Sequence, residues 1–312
     1  MRVLITGGTG YLGRAVVRAM AAAGHEPVVF ARGASRAGLP GTAIDGDVRD
    51  RAALVRAAAG CDALWHGAAL VSIWQPDPAR FDAVNVGGLR HALDAARAHR
   101  LARVVYTSSF LARPPAGHRA AVRLNDYQRT KVEAALVARR ARDEGAPVVI
   151  LYPGVVYGPG EQTEGDLVGR LLRDHTRGRL AGVVGAERTW SFAWIDDVAA
   201  AHVAAIDRPL PATEYELGGE NAPVMRLFEI AREVGLIQRL PRRLPYPVAA
   251  LAGRIEELRA RLTGRTPLVT RGAVDIFRHD WPLGSADAAR DLGLRVTALA
   301  EGIARLVAAI LD

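Results

Sequence analysis

The segment DYQRTKVEA at residues 126–134 places a tyrosine and a lysine four positions apart. Lys131 is the single lysine among 41 lysine and arginine residues. On a helix, Tyr127 and Lys131 project from the same face. A tyrosine side chain normally loses its proton at about pH 10, which makes it a poor acid or base at neutrality. Because a neighbouring ammonium favours the phenolate, we expect Lys131 to lower the pKa of Tyr127 and to make it a proton donor and acceptor.

A glycine-rich turn, TGGTGYLG, follows the first predicted strand and opens a helix. Gly7 permits the tight turn, Gly10 lets the backbone approach a pyrophosphate, and Gly13 lets helix and strand pack closely. Phosphates bind well to the free N–H groups at a helix N-terminus. This turn predicts a dinucleotide site, the alternative being a turn without a ligand. The residues expected to contact the dinucleotide here are Gly7, Thr9, Gly10, Tyr11, Leu12 and Gly13.

The residues after the second predicted strand indicate which dinucleotide is preferred. An NAD enzyme needs an acid here to accept hydrogen bonds from the adenosine ribose, but VVFARGASR contains Arg32 and Arg36 and no acid. A guanidinium can bind a 2′-phosphate bidentately, so the sequence favours NADP. NAD remains possible if both arginines are simply exposed. In the DGDV segment, Asp47 is placed to accept from the adenine amino group, beside Val48.

A third polar group is expected at the end of a strand beside the helix of Tyr127, where ligands bind in open α/β sheets. The segment YTSSF supplies Ser108 and Ser109. A hydroxyl there can donate to a substrate carbonyl and stabilise developing negative charge, or it can satisfy backbone groups at the strand end. We favour Ser109. A compact ammonium at Lys131 reaches both ribose hydroxyls, a role that a rigid guanidinium cannot fill.

Alternating strands and helices must position these groups. Strands are predicted at 3–6, 27–31, 42–45, 62–66, 103–108 and 147–152, and helices at 11–23, 50–59, 79–99 and around Lys131. Strands separated by helices require crossover connections and therefore a parallel sheet covered on both faces. This is the doubly wound α/β, or Rossmann, pattern.

The second half of the chain is less regular. A strand and a helix are predicted within 192–206, a short strand at 215–219, and mostly helices after Pro223. We predict a dinucleotide-binding domain of residues 1–157 and 191–222. A smaller, interleaved C-terminal substrate lobe would comprise residues 158–190 and 223–312.

Composition limits the functional class. Of the 312 residues, half are hydrophobic and 24% are charged, which is ordinary for a soluble globular protein. The single Cys61 excludes a disulfide framework and favours the cytoplasm. We expect no secretory signal, membrane partner, nucleic-acid partner or metal site. The first residues lack the pattern of a secretory leader, and the apolar runs are too short for a membrane helix. The arginines behind the net charge of +8 are interspersed with acids, and the eight histidines are scattered without metal-ligand spacing.

These motifs together resemble the extended short-chain dehydrogenase/reductases, also called the NAD-dependent epimerase/dehydratase family. The matching segments run nearly from end to end: TGGTGYLG, DGDV, WHGAA, NVGG, YTSS, YQRTK, PGVVYGPG, IDDVA and SADAARDLGL. Within the family, the chain is most similar to the dihydroflavonol 4-reductase branch and the hopanoid-associated sugar epimerase group.

The resemblance implies roles for individual residues. Ser109, Tyr127 and Lys131 would form a catalytic trio, with Tyr127 as the acid in reduction, and Asn85 would hold a water of a proton relay. A homodimer would form through the helices at about 79–99 and 125–143. Further implied contacts to the dinucleotide are Ala68, Ala69, Ser108, Pro153, Gly154, Val155 and Val156.

Three departures from the family pattern concern the substrate. Trp190 replaces an arginine that would bind a sugar diphosphate, Trp194 stands where many relatives have histidine, and Tyr152 stands where arginine is common. They favour an apolar or aromatic substrate over a charged nucleotide-sugar. Trp74, Trp190 and Trp194 are candidate pocket walls, the alternative being ordinary packing.

The predicted function is an NADP(H)-preferring oxidoreductase that interconverts a small ketone or aldehyde and an alcohol. One alternative is a nucleotide-sugar epimerase or dehydratase that retains NAD through its cycle. Another is a non-catalytic dinucleotide sensor, against which the Tyr127–Lys131 pair argues, because such proteins typically lose it.

Overall fold

The structure is a computed structural model that describes residues 1–311. Within them, the strands are β1 (Arg2–Thr6), β2 (Glu26–Ala31), β3 (Thr42–Asp45), β4 (Ala63–His66), β5 (Arg103–Thr107), β6 (Val148–Pro153), β7 (Val155–Tyr157), β8 (Thr189–Trp194), β9 (Glu214–Leu217) and β10 (Glu220–Pro223). Seven of them form a sheet in the order β3-β2-β1-β4-β5-β6-β9, with every neighbouring pair parallel. Strands β4 and β6 are buried along their whole length, as expected for apolar runs covered on both faces.

Helices cover both faces of this sheet, and further helices lie in the other part of the molecule. They are α1 (Tyr11–Ala22), α2 (Arg51–Ala57), α3 (Ala79–Phe81), α4 (Gly88–Ala98), α5 (Asp126–Asp143), α6 (Leu167–Thr176), α7 (Ile195–Asp207), α8 (Arg226–Glu233), α9 (Tyr246–Thr263), α10 (Arg271–Ile276), α11 (Ala286–Leu292) and α12 (Leu299–Leu311). Helices α2, α4 and α5 enclose one apolar core, and α1, α7 and α11 enclose the core on the opposite face. The doubly wound α/β fold predicted from the sequence is confirmed.

One predicted helix has a different internal structure. The stretch expected as a continuous helix at 79–99 contains a π-helical segment, Asp82–Gly87, between α3 and α4. Such segments insert a wider turn and are frequent at functional sites. Here the wider turn contains the buried Asn85.

A second, smaller sheet lies in the other part of the molecule. Its order is β10-β8-β7, with β10 antiparallel and β7 parallel to β8. A third apolar core joins these strands to α6, α8 and α12. The domain division predicted from the sequence stays a prediction. Its boundary at residue 191 lies inside β8, and α11 packs against β9 and α7 of the larger sheet.

No helix within residues 1–311 combines the length and the apolar character needed to cross a membrane.

Candidate active site

The turn between β1 and α1 is shaped by its glycines. Gly7 has a φ of +76°, and a Cβ there would lie 2.5 Å from the backbone nitrogen of Ala68. A Cβ at Gly13 would overlap the carbonyl oxygen of Gly7. At Gly10, by contrast, a Cβ would meet nothing nearer than 3.3 Å, and no side chain caps the helix that follows. Free N–H groups at an uncapped helix N-terminus fit the phosphates of a dinucleotide.

The other residues of this turn have different contacts with the protein. Thr9 is half-buried, and Leu12 packs against the core enclosed by α1 and α7. The Tyr11 hydroxyl donates to the carbonyl of Gly158 at 2.6 Å and so joins α1 to the loop after β7. Tyr11 therefore has a structural bond that was not foreseen from its place in the glycine turn.

The residues predicted to bind the adenosine half lie at the ends of β2 and β3. Arg32 and Arg36 are both exposed, and within residues 1–311 neither forms an ion pair. The nearby carboxylate of Asp45 accepts hydrogen bonds from the backbone N–H and the hydroxyl of Ser35. Both guanidinium groups are therefore free to bind an anion.

Asp47 is already engaged by a protein group. Its two oxygens accept from the Arg49 guanidinium at 3.0 and 2.7 Å, and this pairing holds the pKa of Asp47 below its usual range. The predicted bond from an adenine amino group must therefore share this carboxylate with Arg49. The next residue, Val48, is buried and its carbonyl pairs with the His91 ring at 2.9 Å.

The three residues predicted to carry the chemistry meet at the end of β5. Lys131 is buried, and its Nζ donates to the carbonyl of Thr107 at 2.9 Å. The hydroxyl of Ser109 accepts from the backbone N–H of Leu111 at 3.2 Å and lies close enough to Tyr127 to influence its ionisation. Helix α5, which carries Tyr127 and Lys131, therefore presents both side chains to the strand end where Ser109 lies.

Burial determines the ionisation of these groups. It raises the pKa of Tyr127 to about 12, although the nearby Ser109 hydroxyl acts in the opposite direction. Burial also lowers the pKa of Lys131 to about 7. The expectation that Lys131 lowers the pKa of Tyr127 is therefore wrong for these protein groups alone, because low polarity around both side chains favours their neutral forms.

Asn85 links α5, the helix of Tyr127 and Lys131, to the loop after β4. Its Oδ1 accepts from the Leu70 N–H at 2.7 Å, and its Nδ2 donates to the Thr130 hydroxyl at 2.9 Å. Thr130 lies between Tyr127 and Lys131 in sequence and is fully buried. The predicted water-holding role of Asn85 stays a prediction, while its bonds show a role in positioning α5. Sequence reasoning missed Thr130, although it lies within the YQRTK motif.

Buried polar atoms without partners surround Lys131. Among the described residues, the Ser108 hydroxyl, the Tyr106 hydroxyl and His66 Nε2 have no hydrogen-bond partner. The Lys131 ammonium lies 5.1 Å from the centre of the Tyr106 ring, and the His66 and Tyr106 rings are 6.0 Å apart. Unsatisfied buried polar atoms are expected where a ligand or ordered water completes the bonding.

The remaining predicted dinucleotide contacts lie along the same edge of the sheet. Ala68 and Ala69 follow β4 and are half-buried. Pro153 ends β6, and Gly154 separates it from Val155 and Val156 in β7. A Cβ at Gly154 would lie 2.6 Å from the carbonyl oxygen of Ser191, so this position requires glycine. Because the strands are parallel, all of these residues lie at the carboxyl edge with Ser109.

The predicted aromatic pocket residues lie in different surroundings. Trp190 stacks on Phe277 with ring centres 4.4 Å apart, and it contacts Phe110, which follows Ser109. Trp194 donates to Asp196 and packs against Tyr157.

Trp74 is half-buried in the loop after β4, and its carbonyl accepts from the Ser72 hydroxyl. Sequence reasoning missed Phe110 and Trp281, whose rings are 5.7 Å apart, because their contacts join distant segments.

Tyr152 lies in a cluster of charges. Its hydroxyl donates to Glu214 and accepts from Arg139, both at 3.0 Å. The arginine expected at this position in many relatives is therefore replaced by a side chain that connects β6 to β9 and α5.

A cavity of about 560 Å³ lies elsewhere, between α1 and α7, with Tyr11, Arg14 and Asp196 in its lining. None of Ser109, Tyr127 and Lys131 lines this cavity. The candidate site is instead the carboxyl end of β5, where these three side chains meet.

Comparisons with known proteins identify the family of the chain. The family model described as "NAD dependent epimerase/dehydratase family" matches residues 3–218. The chain is 32% identical to sterol demethylase protein B of Methylococcus capsulatus, covering 99% of this chain and 98% of that one. It is 30% identical to the 2-alkyl-3-oxoalkanoate reductase of Stenotrophomonas maltophilia, covering 99% of both chains.

A solved structure titled gox2253 has a TM-score of 0.81 at 26% identity and covers 99% of this chain and 97% of its own.

Proposed function

Because the chain belongs to the NAD-dependent epimerase/dehydratase family, the extended short-chain dehydrogenase/reductases, we propose that it is an NADP(H)-preferring enzyme that interconverts a ketone or aldehyde and an alcohol. Enzymes of this family are NAD(P)-dependent, and relatives of this chain are named as reductases. The observation that carries the proposal is the meeting of Ser109, Tyr127 and Lys131 at the carboxyl edge of the sheet that begins with the glycine turn.

Each of the three side chains has a distinct task. The glycine turn between β1 and α1 would hold a nicotinamide dinucleotide, which would supply the hydride for reduction of the carbonyl or accept it in oxidation of the alcohol. In reduction, Tyr127 transfers its hydroxyl proton to the carbonyl oxygen, and Ser109 donates a hydrogen bond to that oxygen. Lys131 binds the ribose hydroxyls, and its protonation when the dinucleotide binds would favour the Tyr127 phenolate that reduction leaves behind.

We propose an apolar substrate. Trp190 and Phe110 bring aromatic surface next to Ser109, and the position of Trp190 lacks the cation that would bind a sugar diphosphate. Relatives of this chain are named for sterol, 2-alkyl-3-oxoalkanoate and ceramide chemistry, which involves molecules with large apolar parts. A homodimer through the helices at 79–99 and 125–143, and a cytoplasmic location, stay predictions.

The Tyr127→Phe variant tests the reaction. Removing the hydroxyl takes away the proton donor, so kcat for NADPH-dependent reduction should fall by about 10²- to 10⁴-fold. Binding of NADPH, followed by fluorescence titration, should remain within a few-fold of the natural protein, because the ring contacts are kept. A screen of long-chain 3-oxo acids and sterol ketones identifies the substrate for these measurements.

Two results would contradict the proposal. Turnover by Tyr127→Phe at the natural rate would exclude Tyr127 as the proton donor. Purified protein that holds NAD(H) tightly and consumes no added NADPH with any carbonyl would instead indicate an epimerase or dehydratase.

The preference for NADP is tested by replacing both arginines in Arg32→Ser/Arg36→Ser. Their free guanidinium groups would bind the 2′-phosphate with charge-assisted hydrogen bonds, so KM for NADPH should rise by about tenfold or more while KM for NADH changes little. The control is Arg56→Ser, which removes an exposed arginine at the end of α2. Equal changes in both KM values would show that these arginines do not select the phosphate.

A further inference from the structure

Helix α9 exposes a continuous apolar stripe. Val248, Leu251, Ile255, Leu258 and Leu262 are 56%, 60%, 59%, 59% and 78% exposed. Their spacing of three or four residues puts them on one face of the helix. Leu268, just beyond the helix, is 85% exposed. An apolar stripe of this length on a surface helix requires an explanation beyond scattered exposed side chains.

The stripe is not the face by which α9 packs on the protein. Ala249, Gly253 and Ala260 are buried on the opposite side. A Cβ at Gly253 would lie 2.7 Å from the backbone nitrogen of Arg271, which shows how closely α9 approaches α10. The helix is therefore held by one small-residue face and presents a second, larger apolar face outward.

The acidic side chains of α9 are bonded to other protein groups, whereas several arginines beside the stripe are not. Glu256 pairs with Arg259 and accepts from the Leu268 N–H, and Glu257 accepts from the Arg271 N–H, so both acids bond to the protein. The other arginines near the stripe are exposed, and among residues 1–311 they form no ion pairs. They are Arg254 and Arg261 on α9 and Arg265 just after it.

The position of these arginines matters as much as their number. Arg254 and Arg261 each precede a residue of the stripe by one position, about 100° away around the helix axis. Cations beside an apolar face are typical of helices that lie in the surface of an anionic bilayer, with the apolar side chains among the lipids and the cations at the headgroups.

We propose that α9 binds the surface of an anionic membrane through this apolar stripe and its flanking arginines. A second copy of the chain fits the stripe less well, because pairing two such faces would bring two sets of free arginines together without carboxylates to balance them. Binding would be peripheral, with the helix lying in the membrane surface.

This surface is connected to the candidate active site. Helix α10 packs against α9, and a Cβ at Gly272 of α10 would lie 2.5 Å from the carbonyl oxygen of Leu124, just before the cap of α5. Phe277, directly after α10, stacks on Trp190. Membrane binding would therefore hold the aromatic side of the site close to lipid. This last consequence rests on the proposed function, while the binding itself does not.

Co-sedimentation of the full chain with lipid vesicles tests the proposal without substrate or cofactor. Vesicles of phosphatidylcholine are compared with vesicles in which about one third of the lipid is phosphatidylserine. We expect binding to the anionic vesicles that weakens with added salt. Leu251→Gln/Ile255→Gln/Leu258→Gln should weaken it by about tenfold or more, because three apolar side chains are lost from the lipid.

Two further variants separate the contributions. Arg254→Gln/Arg261→Gln/Arg265→Gln should weaken binding to anionic vesicles and remove most of its salt dependence. Val234→Gln/Val296→Gln removes exposed apolar side chains outside α9 and outside the predicted dimer helices, and this variant should bind as the natural protein does. Unchanged circular dichroism and dinucleotide binding would show that all variants are folded.

Three outcomes would overturn the proposal: no binding of the natural protein to anionic vesicles, equal binding by the natural and triple-Gln proteins, or a dimer that dissociates in the Leu251/Ile255/Leu258 variant. The third would assign the stripe to a second copy. Because activity is not measured, failure here leaves the proposed function standing, and failure of the reductase assay leaves this proposal standing.

Discussion

At the scale of single residues, Lys131 combines a charged group with an environment that disfavours charge. Its Nζ has a carbonyl acceptor in Thr107, and burial lowers its pKa to about 7. A lysine whose pKa lies near neutrality can gain or lose its proton as ligands bind, which an arginine cannot do. This gives a physical reason, beyond the shape of the ammonium, for lysine at this position.

The pH dependence of stability provides a test. In an unfolded chain the pKa of lysine is about 10.4, whereas that of Lys131 in the folded protein is about 7. Between these values the unfolded chain binds the extra proton, so the contribution of Lys131 to the free energy of unfolding becomes more favourable as pH rises. The Lys131→Met variant has no ionisable group at this position, so this pH-dependent contribution to its stability is absent.

Urea unfolding of both proteins at several pH values from about 7 to 9 should show the natural protein gaining stability relative to Lys131→Met. Using the difference between the two proteins cancels the ionisation of the tyrosines. Parallel pH profiles would contradict a lowered pKa at Lys131.

Sequence patterns predicted some of the candidate site residues but not the residues that position them. The spacing of Tyr127 and Lys131 and the position of Ser109 after a strand are local patterns that can be read without a fold. The bond from Asn85 to Thr130 joins residues 45 apart in sequence, and only folding shows it. For the protein groups alone, the pKa of Tyr127 was predicted in the wrong direction, because the burial that raises it cannot be read from a local sequence pattern.

At the scale of elements, substitutions in the glycine turn between β1 and α1 should distinguish glycines needed for stability from those needed for cofactor binding. Gly10→Ala fits the fold, since its Cβ would be 3.3 Å from the nearest atom, but the methyl group would stand where the backbone approaches a phosphate. We expect a melting temperature within a few degrees of the natural protein and a Kd for NADPH raised about tenfold or more.

Gly13→Ala is the matched comparison, because its Cβ would overlap the Gly7 carbonyl and force α1 away from β1. This variant should lose both thermal stability and dinucleotide binding. Thermal unfolding and fluorescence titration measure the two properties separately. Equal loss of stability in both variants would show that Gly10, too, serves only the packing of the turn.

The elements of the larger sheet were predictable because each buried parallel strand is a short apolar run with a helix after it. The π-helical segment Asp82–Gly87 was not predicted, and the bond of its Asn85 to the Leu70 backbone joins residues 15 apart in sequence. The small sheet was also missed. Strands β7, β8 and β10 pair across long sequence separations, and their apolar pattern does not reveal that they leave the main sheet.

At the scale of the whole molecule, Glu214 connects α5, the helix of Tyr127 and Lys131, to the edge of the sheet. Its carboxylate accepts from Arg139 and Arg142 on α5 at 2.8 Å and from the Tyr152 hydroxyl at 3.0 Å. Burial alone would raise the pKa of Glu214, but these hydrogen bonds prevail and lower it to about 2.

Glu214→Gln should lower the free energy of unfolding at neutral pH by about 1–3 kcal/mol, because two guanidinium groups lose their charged partner. A lowered pKa means that this contribution is present above the unfolded value of about 4.3 and is lost as pH falls toward 2. The difference between the natural and variant proteins should therefore shrink in acid.

Urea unfolding between pH 7 and the lowest pH at which the fold persists measures that difference. The control is Glu26→Gln, which removes an exposed carboxylate paired with Arg2 and should change stability by less than about 1 kcal/mol. A difference that stays constant in acid would contradict the role of these bonds.

The burial of Lys131 has a practical consequence. Since this chain carries one lysine and that amine is enclosed, amine-selective acylating reagents would modify the intact fold mainly at its α-amino group. Slow acylation at Lys131 would then measure how often the region around the end of β5 opens, without an introduced label.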